Sequence, residues 1–246
     1  MLDTSPHHAR KRAAALWRIA WTVFTIFAVQ GLVCGLSVLP VFLIWSQLIA
    51  QSTGLTSAIH WFIVSVAVVP SYVLFALILM PLSALAMRAT GWRTPPNAEM
   101  SIAEVEWPLL NWARHMVAIH VVRLFAGSLF RGSPIWTAYL RTAGARLGRR
   151  VYVNSLSVSD YNLLEFGDDV VIGADAHISG HTVEGGVVKT ASVRLGRNVT
   201  VGLGSVIDID VEIGPDCQIG ALSLVPKHTK LEAGGVYAGI PARRIE

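Results

Sequence analysis

The stretch "LGRNVTVGLGSVIDIDVEIGPDCQIGALSLV", residues 195 to 225, carries an aliphatic residue at every sixth position. These positions are Leu195, Val201, Ile207, Ile213, Ile219 and Val225, and glycine follows four of the six. The same step occurs upstream at Phe166, Ile172 and Ile178, and in part at Leu147 and Val153. A period of six fits neither an amphipathic helix, at about 3.6 residues, nor a simple strand, at about 2. Internal repetition of this kind predicts a solenoid.

The solenoid is expected to be a triangular coil. Each unit would form one short flat strand and then turn a corner, with its aliphatic side chain inside and a small residue at the bend. Three such units would complete one coil. Because such a prism leaves flat exposed faces, we expect copies to associate side by side as a symmetric homotrimer.

These repeats resemble a known family of enzymes. The segments "VIGADAHISGH", "VRLGRNVTVGLGSVI", "EIGPDCQIGALSLVPK" and "GVYAGIPARRIE" are similar to the left-handed β-helix hexapeptide-repeat acyltransferases, over roughly residues 145 to 246. The segment "IWTAYLRTAGARLGRRVYV" is similar to the membrane-bound C-terminal part of ε-poly-lysine-synthetase-type peptide synthetases. In that family, transmembrane segments alternate with β-helical domains of this type. The resemblance implies a left-handed parallel β-helix that transfers acyl groups.

The upstream half of the chain is strongly apolar. Ile19 to Met87 contains no Asp, Glu, Lys or Arg, which is enough for two membrane crossings of about 20 residues each. We predict transmembrane helices from about Trp17 to the mid-40s and from about Ile59 to Met87. A cleaved signal peptide is disfavoured because the first apolar run exceeds ~7–15 residues and no Ala-x-Ala site follows it.

Positive charges predict how these spans are oriented. Basic residues precede the first span and follow the second, whereas the connection "AQSTGLTSA" has none; they are Arg10, Lys11, Arg12, Arg18, Arg88 and Arg93. Both termini and the β-helix are therefore expected in the cytoplasm, on the inner membrane of a bacterium. The net charge of +4 suits basic residues that face membrane lipid, and no motif for nucleic acid accompanies it. Cys34 and Cys217 are not expected to form a disulfide.

The sequence is thus expected to have four parts. They are a basic cytoplasmic N-terminus at 1–16, two transmembrane helices at 17–93, an interfacial helical linker at 94–144 and the β-helical acyltransferase-like domain at 145–246. Ser101 and Glu104 form a capping-box pattern that predicts the start of a linker helix, which is expected to lie on the membrane surface or to be wedged under the next domain. His115 and His120 fall on different faces of this helix and are expected to be interfacial or packing residues.

The repeat is interrupted after Ile178. The spacing from there to the next aliphatic position, Leu195, is not a multiple of six, so "GHTVEGGVVKTASV" is expected to leave the coil as a loop, where sites are often built. The resemblance implies that His181, at the start of this loop, is a general base that takes the proton of an attacking hydroxyl or amine. The alternative is an exposed loop histidine. Glu184 is the nearest candidate to orient the ring, and a backbone carbonyl would serve equally well.

A zinc site is an alternative use of these histidines, because some left-handed β-helices bind zinc through three histidines. His177 and His181 would then need a third ligand one or two coils away, and His228, the only later histidine, lies beyond that spacing. We therefore predict no metal, and include His177 among the residues that bind the acceptor.

The resemblance also implies a donor site in the groove between neighbouring prisms, where a pantetheine arm would lie. Small or backbone contacts would come from Gly202, Gly204, Gly220 and Ala221, an oxyanion N–H from Leu203, and phosphate contacts from Lys227 and Arg243. The coil corners need small residues in any case. Pro226 replaces a threonine common in relatives, which leaves open whether coenzyme A or a carrier-protein phosphopantetheine brings the acyl group. No tightly bound cofactor is expected.

One further irregularity lies upstream. "SVSDYNLLEFG" contains a one-residue slip between Val153 and Phe166. Asp160, Tyr161 and Asn162 are expected either to bind the acceptor near the mouth of the groove or to form a bulged corner in water.

The sequence therefore predicts a membrane-anchored acyltransferase that moves an acyl group, acetyl or aminoacyl, from a thioester to an amine or hydroxyl. One alternative is an amide-bond-forming unit of a peptide synthetase system, acting on amino acids held by a carrier protein. The other is a non-catalytic trimeric membrane scaffold, because fold alone does not establish activity.

Overall fold

The structure is a computed structural model that describes residues 6 to 245, with side chains described from Arg10 onward. Residues 1 to 5, which belong to the predicted basic N-terminus, lie outside the described residues, as does the C-terminal residue.

Two long helices form the N-terminal part. Helix α1 is Pro6–Ser52 and helix α2 is Ser57–Thr90, and both are long and apolar enough to cross a membrane. The indole Nε1 of Trp45 on α1 donates to Ser71 Oγ on α2 at 2.7 Å. The prolines inside these helices do not end them. The prediction of two long apolar helices is confirmed, and both are longer than expected.

The linker begins differently from its prediction. The capping box at Ser101 is wrong: Glu99–Ser101 forms strand β1, and Ser101 pairs with Val187 of a later hairpin. The residues that follow Ser101 form turns, so no helix begins there for it to cap. Helix α3 starts instead at Trp107, with Pro108 in its first turn, a position that suits the fixed φ of proline.

The rest of the linker covers the first end of the solenoid. Helix α3, Trp107–Val122, continues through a π-helical turn at Arg123–Gly127 into the short helix α4, Ser128–Phe130, and helix α5 follows at Pro134–Thr142. At Gly127, an added Cβ would lie 2.9 Å from Leu156 of the first coil. The helices therefore pack closely on the coil and shield its apolar interior, as a solenoid end requires. His115 is buried on α3 and His120 is exposed, on different faces as expected.

Residues 146 to 244 form a parallel β-helix with one excursion. Its strands are β2 Arg146–Leu147, β3 Tyr152–Val153, β4 Leu164–Phe166, β5 Val171–Ile172, β6 His177–Ile178, β7 His181–Glu184, β8 Val187–Thr190, β9 Val193–Leu195, β10 Thr200–Val201, β11 Val206–Ile207, β12 Glu212–Ile213, β13 Gln218–Ile219, β14 Leu224–Val225, β15 Lys230–Leu231, β16 Val236–Gly239 and β17 Ala242–Arg244. The three faces have the strand orders β3-β5-β10-β13-β16-β17, β6-β11-β14 and β2-β4-β9-β12-β15.

Pairing between coils confirms the predicted repeat. Val201 pairs with Ile219, and Ile207 pairs with Val225, so each aliphatic position lies beside the one three units further along the chain. The aliphatic positions of the repeat point inward and are buried, and their neighbours point outward. Glycine follows the aliphatic residue because the coils stack closely at the corner: a Cβ on Gly202 would lie 2.5 Å from the amide nitrogen of Ala221.

Two departures from the three-unit coil stand out. Leu147 pairs with Phe166, one position beyond the regular spacing, and the extra residue lies in a 3-10 turn at Tyr161–Leu163. Val171 pairs with Thr200 and not with Lys189, where the regular spacing would fall, because a hairpin of β7 and β8 leaves the stack between them.

The hairpin replaces the expected loop. Gly185 and Gly186 form its turn with φ of 56° and 77°, values that glycine adopts without strain. Strand β8 pairs on its other edge with β1, so the three strands form a small sheet beside the solenoid. The prediction that this segment leaves the coil is confirmed, and the segment is an ordered β-hairpin.

The stacked corners generate a stability prediction. Gly202→Ala should lower the free energy of unfolding by about 1–3 kcal/mol, because the new Cβ meets backbone that cannot move aside. Gly35→Ala is the matched control, since it lies in α1 with open space around it and should change stability by at most about 1 kcal/mol. Thermal unfolding in a neutral detergent, followed by tryptophan fluorescence, measures both. An equal Tm for the two variants would contradict the close stacking.

Candidate active site

His181 is held by a buried carboxylate. Its Nδ1 lies 2.5 Å from Oδ2 of Asp160 and 3.1 Å from Oγ of Ser179. Asp160 has no exposed surface, whereas the His181 side chain keeps about a fifth of its surface exposed, at 21%. Because the carboxylate accepts a hydrogen bond from Nδ1, Nε2 carries the free lone pair and is available to take a proton from another molecule.

Asp160 is itself surrounded by donors. The hydroxyl of Thr94 donates to Oδ1 at 2.6 Å, and Oδ2 accepts from Ser159 Oγ at 3.0 Å and from the amide of Gly180 at 3.2 Å. Burial raises the pKa of Asp160, but the hydrogen bond and charge of His181 and the bond from Thr94 together lower it below the ordinary value of 3.8. Asp160 is therefore a carboxylate that stabilises positive charge on His181.

The backbone brings these two residues together at a tight point. Asp160 has a φ of 53°, in the left-handed region that aspartate tolerates better than most residues. A Cβ on Gly180 would lie 2.8 Å from the Cβ of Asp160. The absence of a side chain at Gly180 thus allows the hairpin to start directly beside the slip in the previous coil.

Glu184 does not orient His181, so that prediction is wrong. Its carboxylate pairs with the ammonium of Lys227 and lies 3.9 Å from Lys189. The hydrogen bond from Lys227 is the main reason that the pKa of Glu184 is lowered. Glu184 lies at the far end of β7, where it joins the hairpin to the solenoid.

Two of the four residues expected to bind the acceptor, Asp160 and Tyr161, are buried. Tyr161 is fully buried, with the guanidinium of Arg123 5.9 Å from its ring centroid, and Asp160 is occupied by His181. The prediction that Asp160 and Tyr161 line an open groove mouth is wrong, and so is the alternative of a bulged corner in water, because Tyr139 of α5 and Arg123 pack on Tyr161 and both predicted residues are fully buried. Asn162 is half-buried, and its amide both donates to the carbonyl of Thr94 at 2.9 Å and accepts from the Thr94 amide at 3.1 Å.

His177 lies on an outer surface near His181. It points outward from β6, next to Val206 in the neighbouring strand, and is exposed. Partial burial of the ring lowers its pKa, and so do the nearby charges of His181 and Arg123.

Three residues around the site were not identified from sequence. Trp112 of α3 packs against the ring of His181, with centroids 5.1 Å apart and planes at 68°. Thr94 belongs to the chain between α2 and β1, and Ser179 to the residues just before the hairpin. The segment that leads from the apolar helices into the solenoid therefore forms one wall of the site. The only sequence feature that pointed to this wall was that Trp112 lies in a stretch of aromatic and basic residues.

The predicted donor residues form two groups. Gly202, Leu203 and Gly204 stack on Gly220 and Ala221 at the corner that precedes the β6-β11-β14 face, where the amide of Leu222 donates to the carbonyl of Leu203 at 2.8 Å. This corner carries an exposed apolar ridge of Leu203, Leu222 and Ile240. Lys227 lies at the opposite edge of the same face, beside the hairpin, and Arg243 is exposed on β17.

His181 and the corner of Gly202 thus lie on opposite edges of one face. Within a single chain they do not form one groove. The described residues also contain no group of three or more His, Cys, Asp or Glu side chains placed to hold a metal ion.

Two known proteins of similar sequence support the resemblance that the hexapeptide repeat indicates. No family model matches the chain. It is 27% identical over 112 residues to the delta-poly-L-ornithine synthetase of Acinetobacter baumannii (strain AB307-0294), covering 46% of this chain and 8% of that protein. It is 32% identical over 120 residues to the galactoside O-acetyltransferase of Escherichia coli (strain K12), covering 46% of this chain and 57% of that protein.

Among solved structures, a hexapeptide-repeat acetyltransferase from Vibrio cholerae O1 biovar eltor, complexed with acetyl coenzyme A, aligns with a TM-score of 0.39 at 20% identity. That alignment covers 42% of this chain and 60% of the other. The chain spans little more than half the length of the acetyltransferase relative, at 57%, and a small part of the synthetase, at 8%. The sequence similarity to the galactoside O-acetyltransferase and to part of the synthetase thus supports the resemblance to hexapeptide-repeat acyltransferases.

Proposed function

We propose that this protein is a membrane-anchored acyltransferase that moves an acyl group from a thioester to an amine or hydroxyl. The observation that carries the proposal is the pair of His181 and buried Asp160, placed where a hairpin leaves a hexapeptide-repeat solenoid. A base whose ring is oriented by a carboxylate, with its second nitrogen free, is what deprotonation of an attacking group requires. This pair disfavours the scaffold alternative, because a scaffold has no need of a buried charge beside a partly exposed imidazole.

In the proposed reaction, Nε2 of His181 accepts the proton of the acceptor as its nitrogen or oxygen forms a bond to the thioester carbonyl carbon. The carbonyl oxygen becomes negative, and the N–H of Leu203 is the proposed donor that stabilises it. The carbon–sulfur bond then breaks, and the thiolate receives the proton from His181. Asp160 stabilises the imidazolium between these two steps through its contact with Nδ1.

Anchoring in the membrane is supported by the surface of α1 and α2. Large apolar side chains are exposed along both helices, including Phe24, Phe27 and Phe42 on α1 and Phe62 and Val69 on α2. A surface of this kind needs apolar surroundings. We propose two spans in the bacterial inner membrane, with both termini and the β-helix in the cytoplasm, as the positions of the positive charges indicate.

A homotrimer would complete the site. His181 and the Gly202 corner lie on opposite edges of the same face, so a groove between two prisms brings the base of one copy to the corner of another. We propose that the pantetheine arm of coenzyme A, or of a carrier protein, lies in this groove, along Gly202, Gly204, Gly220 and Ala221. His177, which faces the same side as His181, is proposed to contact the acceptor.

A carrier-bound donor is the second candidate. In this structure Lys227 is paired with Glu184, so one of the two cations expected to bind the phosphates of coenzyme A is already neutralised. The similarity to a segment of delta-poly-L-ornithine synthetase also favours amide-bond formation on carrier-bound amino acids. Turnover of acetyl-CoA by the isolated chain would favour free coenzyme A as the donor.

Removing the charge of Asp160 tests the orientation of the base. With acetyl-CoA and a panel of amino acids, amino sugars and sugar hydroxyls, Asp160→Asn should lower the rate of acceptor-dependent thiol release by about 10²-fold or more. The matched variant Glu184→Gln removes a carboxylate from the hairpin that begins at His181 and should stay within about threefold of wild type, since Glu184 does not touch the imidazole. Equal losses in the two variants would assign the effect to the hairpin and not to the pair.

Mixed trimers test the shared groove. His181→Ala removes the base, and Leu203→Trp fills the groove from an exposed position; each variant alone should be inactive. Trimers that assemble at random from equal amounts of both should recover about one quarter of wild-type activity, because one interface in four then combines two intact halves. If the site lies within one chain, the mixture stays inactive. Activity in Leu203→Trp alone would remove this corner from the donor site.

A further inference from the structure

We propose that a pocket at the end of α2, lined by Arg88, Trp92, Arg93, His115 and Asn162, binds a phosphate group carried by a membrane lipid headgroup. The pocket has a volume of about 340 Å³ and lies between the last turn of α2, helix α3 and the start of the solenoid. It is separate from the free Nε2 of His181.

The two arginines are exposed and unpaired. Within residues 10 to 245, no carboxylate forms an ion pair with Arg88 or Arg93, whereas arginines of the first coil, such as Arg149 and Arg150, are paired with Asp168 and Asp169. A guanidinium presents a planar fork of donors that matches the oxygens of a phosphate. Two such groups lining one pocket complement both the negative charge and the oxygen geometry of a phosphate.

His115 provides a donor inside the pocket. It is buried, at 1% exposure, and neither ring nitrogen has a hydrogen-bond partner of good geometry, although the backbone of Trp92 is close enough to favour the protonated ring. A buried polar group without a partner destabilises the folded state, because no hydrogen bond offsets its loss of hydration. Burial lowers the pKa of His115, which favours the neutral ring, and a neutral imidazole has one N–H to donate. A phosphate oxygen would accept that hydrogen bond.

The position of the pocket indicates where the phosphate comes from. Arg88 is the first charged residue after the uncharged stretch from Ile19 to Met87. In the proposed membrane orientation, it lies at the level of the lipid headgroups, where arginines contact lipid phosphates. The volume exceeds that of a phosphate alone and leaves room for the glycerol or sugar attached to it. The assignment of the phosphate to a lipid rests on the proposed membrane insertion, whereas the binding of a phosphate by the pocket does not.

The pocket is linked to the proposed site through Asn162. The Asn162 amide bonds both backbone groups of Thr94, and the Thr94 hydroxyl donates to Asp160. A bound headgroup would thus hold the segment that positions the carboxylate, without contacting the reacting atoms.

The experiment measures lipid binding by the delipidated full chain in a neutral detergent, using native mass spectrometry. The probes are phosphatidylglycerol, the phosphate-free diacylglycerol of the same acyl chains, and inorganic phosphate as a competitor. We expect phosphatidylglycerol to bind, diacylglycerol not to bind, and inorganic phosphate to displace the lipid. The double variant Arg88→Gln/Arg93→Gln should weaken binding about tenfold or more, because it removes two charge-assisted contacts.

The matched control is Arg10→Gln/Arg12→Gln, which removes the same charge from the same membrane side but outside the pocket; its binding should stay within about twofold. His115→Asn, which shortens the buried donor, should weaken binding by a smaller factor than the arginine pair. Equal loss in the control, or equal binding of diacylglycerol, would overturn the proposal. Binding of inorganic phosphate with no binding of phosphatidylglycerol would overturn the lipid source. His181→Ala should bind normally, so failure of the acyltransferase proposal leaves this result unchanged.

Discussion

The rest of the structure depends on the stacking of backbone between successive coils. Each strand is only a few residues long and is stabilised by the coil before and the coil after it, so a coil must contain three units of equal length unless the extra residues leave the stack. The chain departs from that length twice. The first departure, of a single residue, places Asp160 in a buried turn, and the second, a whole hairpin, starts at His181. Because the two departures occur in adjacent coils, they bring Asp160 and His181 to 2.5 Å.

The segment that follows the apolar helices makes direct contacts with this site. Thr94, just beyond α2, donates to Asp160, and Trp112 of α3 packs on the ring of His181. Strand β1 extends the hairpin on its outer edge. Each of these contacts comes from the segment between the proposed membrane spans and the solenoid. The contacts around His181 are therefore complete only when that segment is docked, which gives it a direct part in positioning the proposed base.

Much of this architecture was predictable because it is encoded in local periodicity and composition. The six-residue step, the slip before Phe166, the interruption after Ile178 and the two apolar helices all appear as patterns within a short window. The partner of His181 does not. Glu184 is close in sequence but lies at the far end of a strand, whereas Asp160 comes a full coil earlier and becomes adjacent only because successive coils stack. The capping pattern at Ser101 failed for a similar reason, since pairing with a distant hairpin determines its backbone. Long-range pairing of this kind has no local signal.

His181 is proposed to act as the base of an acyl transfer, and thiol release by the full chain in detergent tests this role most directly. Wild type and His181→Ala are compared with acetyl-CoA and a mixed panel of amine and hydroxyl acceptors, after circular dichroism has shown that both retain the solenoid. Acceptor-dependent release should fall by about 10²-fold or more in the variant. Release that is unchanged in His181→Ala would contradict it.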